Sequence, residues 1–119
     1  MSIGTKLNKD LAFTKHAEAF LALQKKLAEA SRRVKQGGGA EAMARHRKKG
    51  KLFARDRIEK LIDPQSRFLE IGLFAAHGMY EEYGGAPSAG TVFGVGTIHG
   101  REVVIVANDA TVKAGAWFP

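Results

Sequence analysis

Thr91-Val92-Phe93-Gly94-Val95-Gly96-Thr97-Ile98-His99-Gly100-Arg101-Glu102-Val103-Val104-Ile105-Val106-Ala107 is the stretch that decides the fold class. β-Branched residues crowd both of its halves, and His99-Gly100-Arg101 separates them as a turn. That pattern predicts two adjacent antiparallel strands, with Val104 and Val106 on one face and Val103 and Ile105 on the other. Val103 to Ala107 is apolar at every position, which predicts a central strand buried on both faces. Glycines 90, 94, 96 and 100 fit neither G-x-G-x-x-G nor G-x-x-x-x-G-K-[ST], so they read as bulges or close packing rather than as a phosphate cradle. Upstream, Phe68 to Ile71 reads as a further strand. Downstream, Asn108 to Ala116 is a polar, small-residue loop of the kind that forms a site at a strand's carboxyl end.

The amino-terminal part has a different period. Phe13, Phe20, Leu27 and Val34 recur every seventh residue, with Ala17, Leu21 and Leu23 widening the stripe, so Asp10 to Val34 is expected to be one amphipathic helix. Its stripe calls for a partner subunit or further chain to pack against. Lys25, Lys26, Arg32, Arg33 and Lys35 suit the helix dipole at its end, and Gly37-Gly38-Gly39 stops it. Ala40 to Lys49 reads as a short helix broken at Gly50. A third helix follows, with Leu52, Ile58, Leu61 and Ile62 on one face, closed by Asp63-Pro64. Helices followed by strands give an α/β class, divided into residues 1–39 (helix and glycine linker) and 40–119.

At 119 residues the chain is one domain or part of a larger one, and with no Cys it has no disulfide scaffold, thiolate zinc site or cysteine nucleophile. No apolar run approaches the roughly 20 residues that span a bilayer. Met1 to Asp10 lacks the pattern of a secretory signal. A soluble chain is expected, cytoplasmic or, in a eukaryote, in the mitochondrial matrix. The net charge of +7 hides an asymmetry: residues 1–60 carry 16 basic and 6 acidic groups, residues 61–119 only 3 and 6. Such a field attracts polyanions. Arg45-His46-Arg47-Lys48-Lys49-Gly50-Lys51 would be the start of a nucleic-acid site, but no aromatic residue is interleaved until Phe53, and a solvated helical surface is the plainer reading. No pair among His16, His46, His77 and His99 has metal-ligand spacing, so no metal is expected. Glu81-Glu82 reads as solvent-exposed rather than as an acid and base pair.

Gly50-Lys51-Leu52-Phe53-Ala54-Arg55-Asp56-Arg57-Ile58, Leu61-Ile62-Asp63-Pro64, Phe68-Leu69-Glu70-Ile71 and Val106-Ala107-Asn108-Asp109-Ala110-Thr111-Val112-Lys113 resemble, in this order, the amino-terminal region of the carboxyltransferase (beta) subunit of biotin-dependent acyl-CoA carboxylases. Ala107 to Lys113, and Gly78-Met79-Tyr80 leading to Gly84-Gly85-Ala86-Pro87, are most similar to the methylcrotonoyl-CoA branch of that family. The resemblance covers about two thirds of the chain, from Arg45 onward.

What the resemblance implies is an amino-terminal fragment of a crotonase-like fold of ββα units, with a long amino-terminal helix and a truncated carboxyltransferase domain over 40–119. It implies transfer of CO2 from carboxybiotin to an acyl-CoA, 3-methylcrotonyl-CoA in leucine degradation, with the enolate oxygen held by backbone N–H groups. Those donors are expected beyond residue 119, so no catalytic residue is assigned within the chain and the fragment alone is expected to be inactive. Ending on Trp117-Phe118-Pro119 fits the same expectation of truncation. No Ala-Met-Lys-Met motif is present, so the biotin is expected on a partner, the biotin-carrying or biotin carboxylase subunit, in an assembly where this subunit is a homo-oligomer. For acyl-CoA binding the candidates are Lys113, Gly115 and Asn108, with Arg55 and Arg57 behind them, because these two arginines could equally pair with Asp56, Glu59 or Asp63. Family members commonly carry Gly-Gly where this chain has Ala114-Gly115, which restricts backbone approach there. Two other readings stand beside this one: a small basic nucleic-acid-binding module, and a purely structural segment that packs subunits.

Overall fold

The computed structural model describes Gly4 and residues 6–116, so Trp117-Phe118-Pro119 lies outside the described residues. Within them run α1 (Leu11–Lys35), α2 (Gly39–Lys48), α3 (Ala54–Leu61), β1 (Leu69–Ile71), β2 (Thr91–Ile98) and β3 (Arg101–Asn108). Short turns at Glu81–Tyr83, Pro87–Gly90 and Lys113–Gly115 complete the order. The chain groups into two units that divide inside α1, between Ala30 and Ser31.

In the first unit, α1 starts where its sequence pattern starts. The Asp10 carboxylate accepts the Phe13 N–H at 2.8 Å, satisfying one of the donors left over at a helix start. Phe13 and Ala17 are half-buried, whereas Phe20 (61%) and Leu27 (57%) remain exposed.

In the second unit the sheet is antiparallel in the order β1-β2-β3, with Val92 opposite Ala107, Gly94 opposite Ile105 and Gly96 opposite Val103. The strand faces alternate as expected, but β3 lies at an edge of the sheet, not at its centre. Only Ile105 of its apolar run is buried (8% exposed), while Val104 (65%) and Val106 (54%) stand open. The reason is that α3 covers one face only. Ala54 and Ile58 of α3 form a core with Val92 and Ile105, and Ile62, Phe68, Ile98, Val103 and Ala107 pack around it. The expected four-residue face of this helix is also narrower: Leu52 precedes the helix, Ile62 follows it, and Leu52 and Leu61 are exposed. Two turns of helix bring only the Ala54–Ile58 row onto the sheet.

Glycines 94 and 96 are there for close packing. A side chain at Gly94 would run into the Leu69 carbonyl and the Phe68 ring, and one at Gly96 would press on Ile62 and Ile105. The hairpin turn is clamped from the segment after α3. The Asp63 carboxylate accepts the N–H groups of His99 and Gly100, both at 2.7 Å, and the Asp63 N–H donates to the Thr97 carbonyl. His99 has φ of 50°, a left-handed conformation that this carboxylate helps to hold.

The other face of the sheet carries Leu69, Ile71, Phe93, Val104 and Val106, all exposed. At micromolar concentration the isolated chain is expected to self-associate through this surface. Val104→Lys should lower the mass measured by light scattering, and an unchanged mass would locate the association elsewhere.

The Gly100 and His99 N–H groups, aided by the His99 imidazole, hold the Asp63 carboxyl below its ordinary pKa. Because the native state binds this proton less readily, the stabilisation is complete above the unfolded-state pKa of about 3.9 and is lost as pH falls through the lower native value. Asp63→Asn is expected to flatten the decline of the urea midpoint below about pH 4. Parallel acid curves for the two proteins would remove the clamp from the acid response.

Candidate functional site

The loop after β3 is folded back by its own polar side chains. Asp109, only 7% exposed, donates its N–H to the Gly90 carbonyl at 2.8 Å. Its Oδ1 accepts the Thr111 N–H at 2.9 Å and the Thr111 hydroxyl at 2.6 Å, a local turn typical of Asp followed two residues later by a donor. Thr111 Oγ1 in turn accepts the Gly38 N–H at 3.0 Å, across 73 residues of sequence. The glycine turn between α1 and α2 therefore does more than stop a helix. A side chain at Gly37 would strike Asp109 and Thr111, and one at Gly38 would strike the Thr111 backbone.

Beyond Val112 the chain makes a left-handed turn, with φ of 45° at Lys113, 55° at Ala114 and 85° at Gly115. It closes through Gly115 N–H to Val112 O at 2.8 Å and Ala116 N–H to Lys113 O at 3.1 Å. Ser88, Ala89 and Gly90 form a second left-handed turn, and Gly90 lies against Val112 and Ala116 so closely that a side chain there would meet the Ala116 carbonyl at 3.3 Å.

Between these segments opens a cleft of about 360 Å³. Its walls include the glycine backbones at 37–39 and 84–85, and Arg45 and Lys113 line it with positive charge. Arg45 is also ion-paired with Glu41 on its own helix. The N–H groups of these glycines are all engaged within the chain, at Val34, Thr111, Gln36, Glu81 and Tyr80, so what suits the cleft to an anionic group such as a phosphate is the pair of cations and the close approach that walls without side chains allow.

Of the sequence candidates, Lys113 and Gly115 belong to this loop, whereas Asn108 is the last residue of β3, paired with Thr91; of the three, Lys113 lines the cleft and Asn108 and Gly115 do not. Arg55 reaches the opposite side of the loop, in a smaller cleft shared with Asp109 and Thr111. Arg57 is exposed and lines a different depression beside Leu61 and Val106. Arg55 pairs with none of the three acids named for it. Its Nη2 donates to Glu70 Oε1 at 2.5 Å and lies 3.5 Å from Ser88 Oγ, whose hydroxyl donates to the Leu73 carbonyl at 2.9 Å. The basic run is partly packed rather than wholly solvated: Arg47 lies 4.8 Å above the Phe53 ring, and His46 stacks on that ring at 5.8 Å. Asp109, Thr111, Gly38, Glu70 and Ser88 were not among the site candidates read from sequence, although Asp-x-Thr after a strand carries the signature of the turn it makes.

Residues 45–119 match the model of the carboxyl transferase domain. The chain belongs to that family. It is 43% identical over 91% of its length to the methylcrotonoyl-CoA carboxylase beta chain of Arabidopsis thaliana, and 45% identical over 87% to the biotin-dependent 3-methylcrotonyl-coenzyme A carboxylase beta1 subunit of Mycobacterium tuberculosis. The chain spans 18% of the length of each. The crystal structure of the P. aeruginosa geranyl-CoA carboxylase beta subunit superimposes with a TM-score of 0.81 at 28% identity, covering 98% of this chain and 22% of that one. The three-stranded sheet and its helices are thus a portion of the crotonase-like carboxyltransferase fold. Among the described residues no helix is long and apolar enough to cross a membrane.

Arg55 and Glu70 are 23% and 15% exposed, so removing the arginine leaves a mostly enclosed carboxylate without its counter-charge. Arg55→Leu is expected to lower the unfolding free energy by about 3 kcal/mol, and adding Glu70→Leu to recover most of it, both read by urea denaturation. A loss under about 1 kcal/mol for the single variant would mean that solvent screens the pair.

Proposed function

We propose that this chain serves, as part of a longer carboxyltransferase subunit, the transfer of CO2 from carboxybiotin to an acyl-CoA, with 3-methylcrotonyl-CoA as substrate. The observation that carries the reading is the agreement with two 3-methylcrotonyl-CoA carboxylase beta subunits over 91% and 87% of the chain, beside a family match over residues 45–119 that includes the loop bordering the cleft. Arg45 and Lys113, set beside walls of glycine without side chains, suit the phosphates of CoA. With no Ala-Met-Lys-Met motif in this sequence, the cofactor is assigned to a biotin-carrying partner subunit, where carboxybiotin supplies the CO2. The subunit works as a homo-oligomer in the compartment of that partner, the cytoplasm or the mitochondrial matrix.

The part assigned to this chain is binding. Lys113 meets a CoA phosphate as a mobile point charge, while Asn108 at the end of β3 and Gly115 in the turn flank the segment that carries it. A phosphate remote from the reacting carbon is held equally in the ground and transition states, so its loss weakens binding without slowing the bound complex. In the full-length carboxylase, Lys113→Ala is expected to raise the KM for 3-methylcrotonyl-CoA about tenfold, the worth of one charge-assisted hydrogen bond, with kcat nearly unchanged. An unchanged KM would take Lys113 out of the site. Carboxylation of propionyl-CoA in preference to 3-methylcrotonyl-CoA would overturn the substrate assignment.

A further inference from the structure

We propose that Thr111 is a positioning residue for the acyl-CoA loop, acting through Lys113 by a hydroxyl that donates to Asp109 and accepts from Gly38. The inference rests on the acyl-CoA reading of the preceding subsection. Its ground is a relay through a single hydroxyl. Thr111 Oγ1 donates to Asp109 Oδ1 at 2.6 Å and accepts the Gly38 N–H at 3.0 Å. A hydroxyl donates and accepts at a single atom, as this relay requires, and valine, which has nearly the same shape, does neither. The acceptor end is fixed, because Asp109 is buried and its own N–H is tied to the Gly90 carbonyl. The donor end is fixed too, because a side chain at Gly37 or Gly38 would collide with the relay.

Two residues further on, Lys113 and Ala114 sit in left-handed backbone that non-glycine residues adopt only at a cost. A segment under such strain relaxes when a tie is cut. The relay is the tie between that segment and the wall of the cleft formed by Gly37 and Gly38, and it thereby sets where the Lys113 ammonium stands over the cleft. When the competent pose is populated only in part, apparent affinity falls by that fraction, while the complex that does form turns over normally.

The test is a double-mutant cycle in the full-length carboxylase, with KM and kcat for 3-methylcrotonyl-CoA as readouts. Thr111→Val is expected to raise KM several-fold with kcat within about twofold of the parent. Thr111→Ser, which keeps the hydroxyl, should stay close to the parent. Because Thr111 acts through Lys113, Thr111→Val on the Lys113→Ala background should add little. Multiplying effects in the double variant, or equal effects of the Ser and Val replacements, would overturn the proposal. A raised KM in Lys113→Ala beside an unchanged KM in Thr111→Val overturns it while leaving the acyl-CoA reading intact. An unchanged KM in Lys113→Ala overturns that reading, and this inference with it. Should Thr111→Val fail to fold, Thr111→Ala against Thr111→Ser makes the same distinction: a raised KM in Ala alone supports the relay, and equal values sink it.

Discussion

The close approach of β1 and α3 to the middle of β2 depends on the absence of side chains at Gly94 and Gly96. At Gly94 the space that a methyl group would fill is taken by the Leu69 carbonyl and the Phe68 ring, and at Gly96 by Ile62 and Ile105. Interiors packed to crystal-like density have no slack for an extra carbon at either point. With β1 drawn in, Glu70 lies opposite Gly94 in the sheet and receives the Arg55 guanidinium from α3. Through Ser88 the same guanidinium touches the left-handed turn that precedes β2, and that turn lies against the loop after β3. The position of the candidate site thus follows, contact by contact, from two glycines on its central strand.

The period of apolar residues was enough to locate α1, the three strands and the turn at His99-Gly100, because each leaves a local mark: a seven-residue stripe, alternating faces, or a turn residue. It failed where burial depends on what covers a face. Val103 to Ala107 carries the composition of a central strand, yet only one side is covered by α3, so Val104 and Val106 are open at the sheet edge. Composition reports what a strand tolerates, not its neighbours. The same limit applies to Leu52, which precedes the helix, and to Leu61, its last residue, both of which stay exposed.

Ion pairs and relays were less legible still. Near neighbours Asp56, Glu59 and Asp63 were the natural partners for Arg55, but Glu70 takes it from a strand 15 residues away. Asp63 serves instead as the acceptor for two N–H groups of the hairpin turn, more than 30 residues downstream. The bond from Gly38 to Thr111 has no periodic signature at all, since it joins a helix stop to a loop across 73 residues. What the loop did show in sequence was its chemistry: a lysine and small residues directly after an apolar strand. That the glycines at 37–39 and 84–85 would form the facing wall required the fold.

The backbone of that loop and of the turn facing it shows how their geometry is held. Ser88, Ala89, Lys113 and Ala114 occupy left-handed conformations that cost on the order of 1–2 kcal/mol each, and the two turns containing them pack on one another at Gly90. Hydrogen bonds of Asp109 to Gly90, of Ala89 to Ala75 and of Gly38 to Thr111 oppose their relaxation. Ala114 sharpens the point, since glycine would adopt φ of 55° without penalty. Alanine adds strain of about 1 kcal/mol or more, yet it also restricts the unfolded chain by about 0.4–1 kcal/mol relative to glycine. The two effects nearly offset in stability. They do not offset in freedom of motion, because a methyl group at 114 removes backbone states that glycine would keep open around the folded loop. The methyl group of Ala114 therefore acts mainly on rigidity, narrowing the backbone poses open to the turn that carries Lys113.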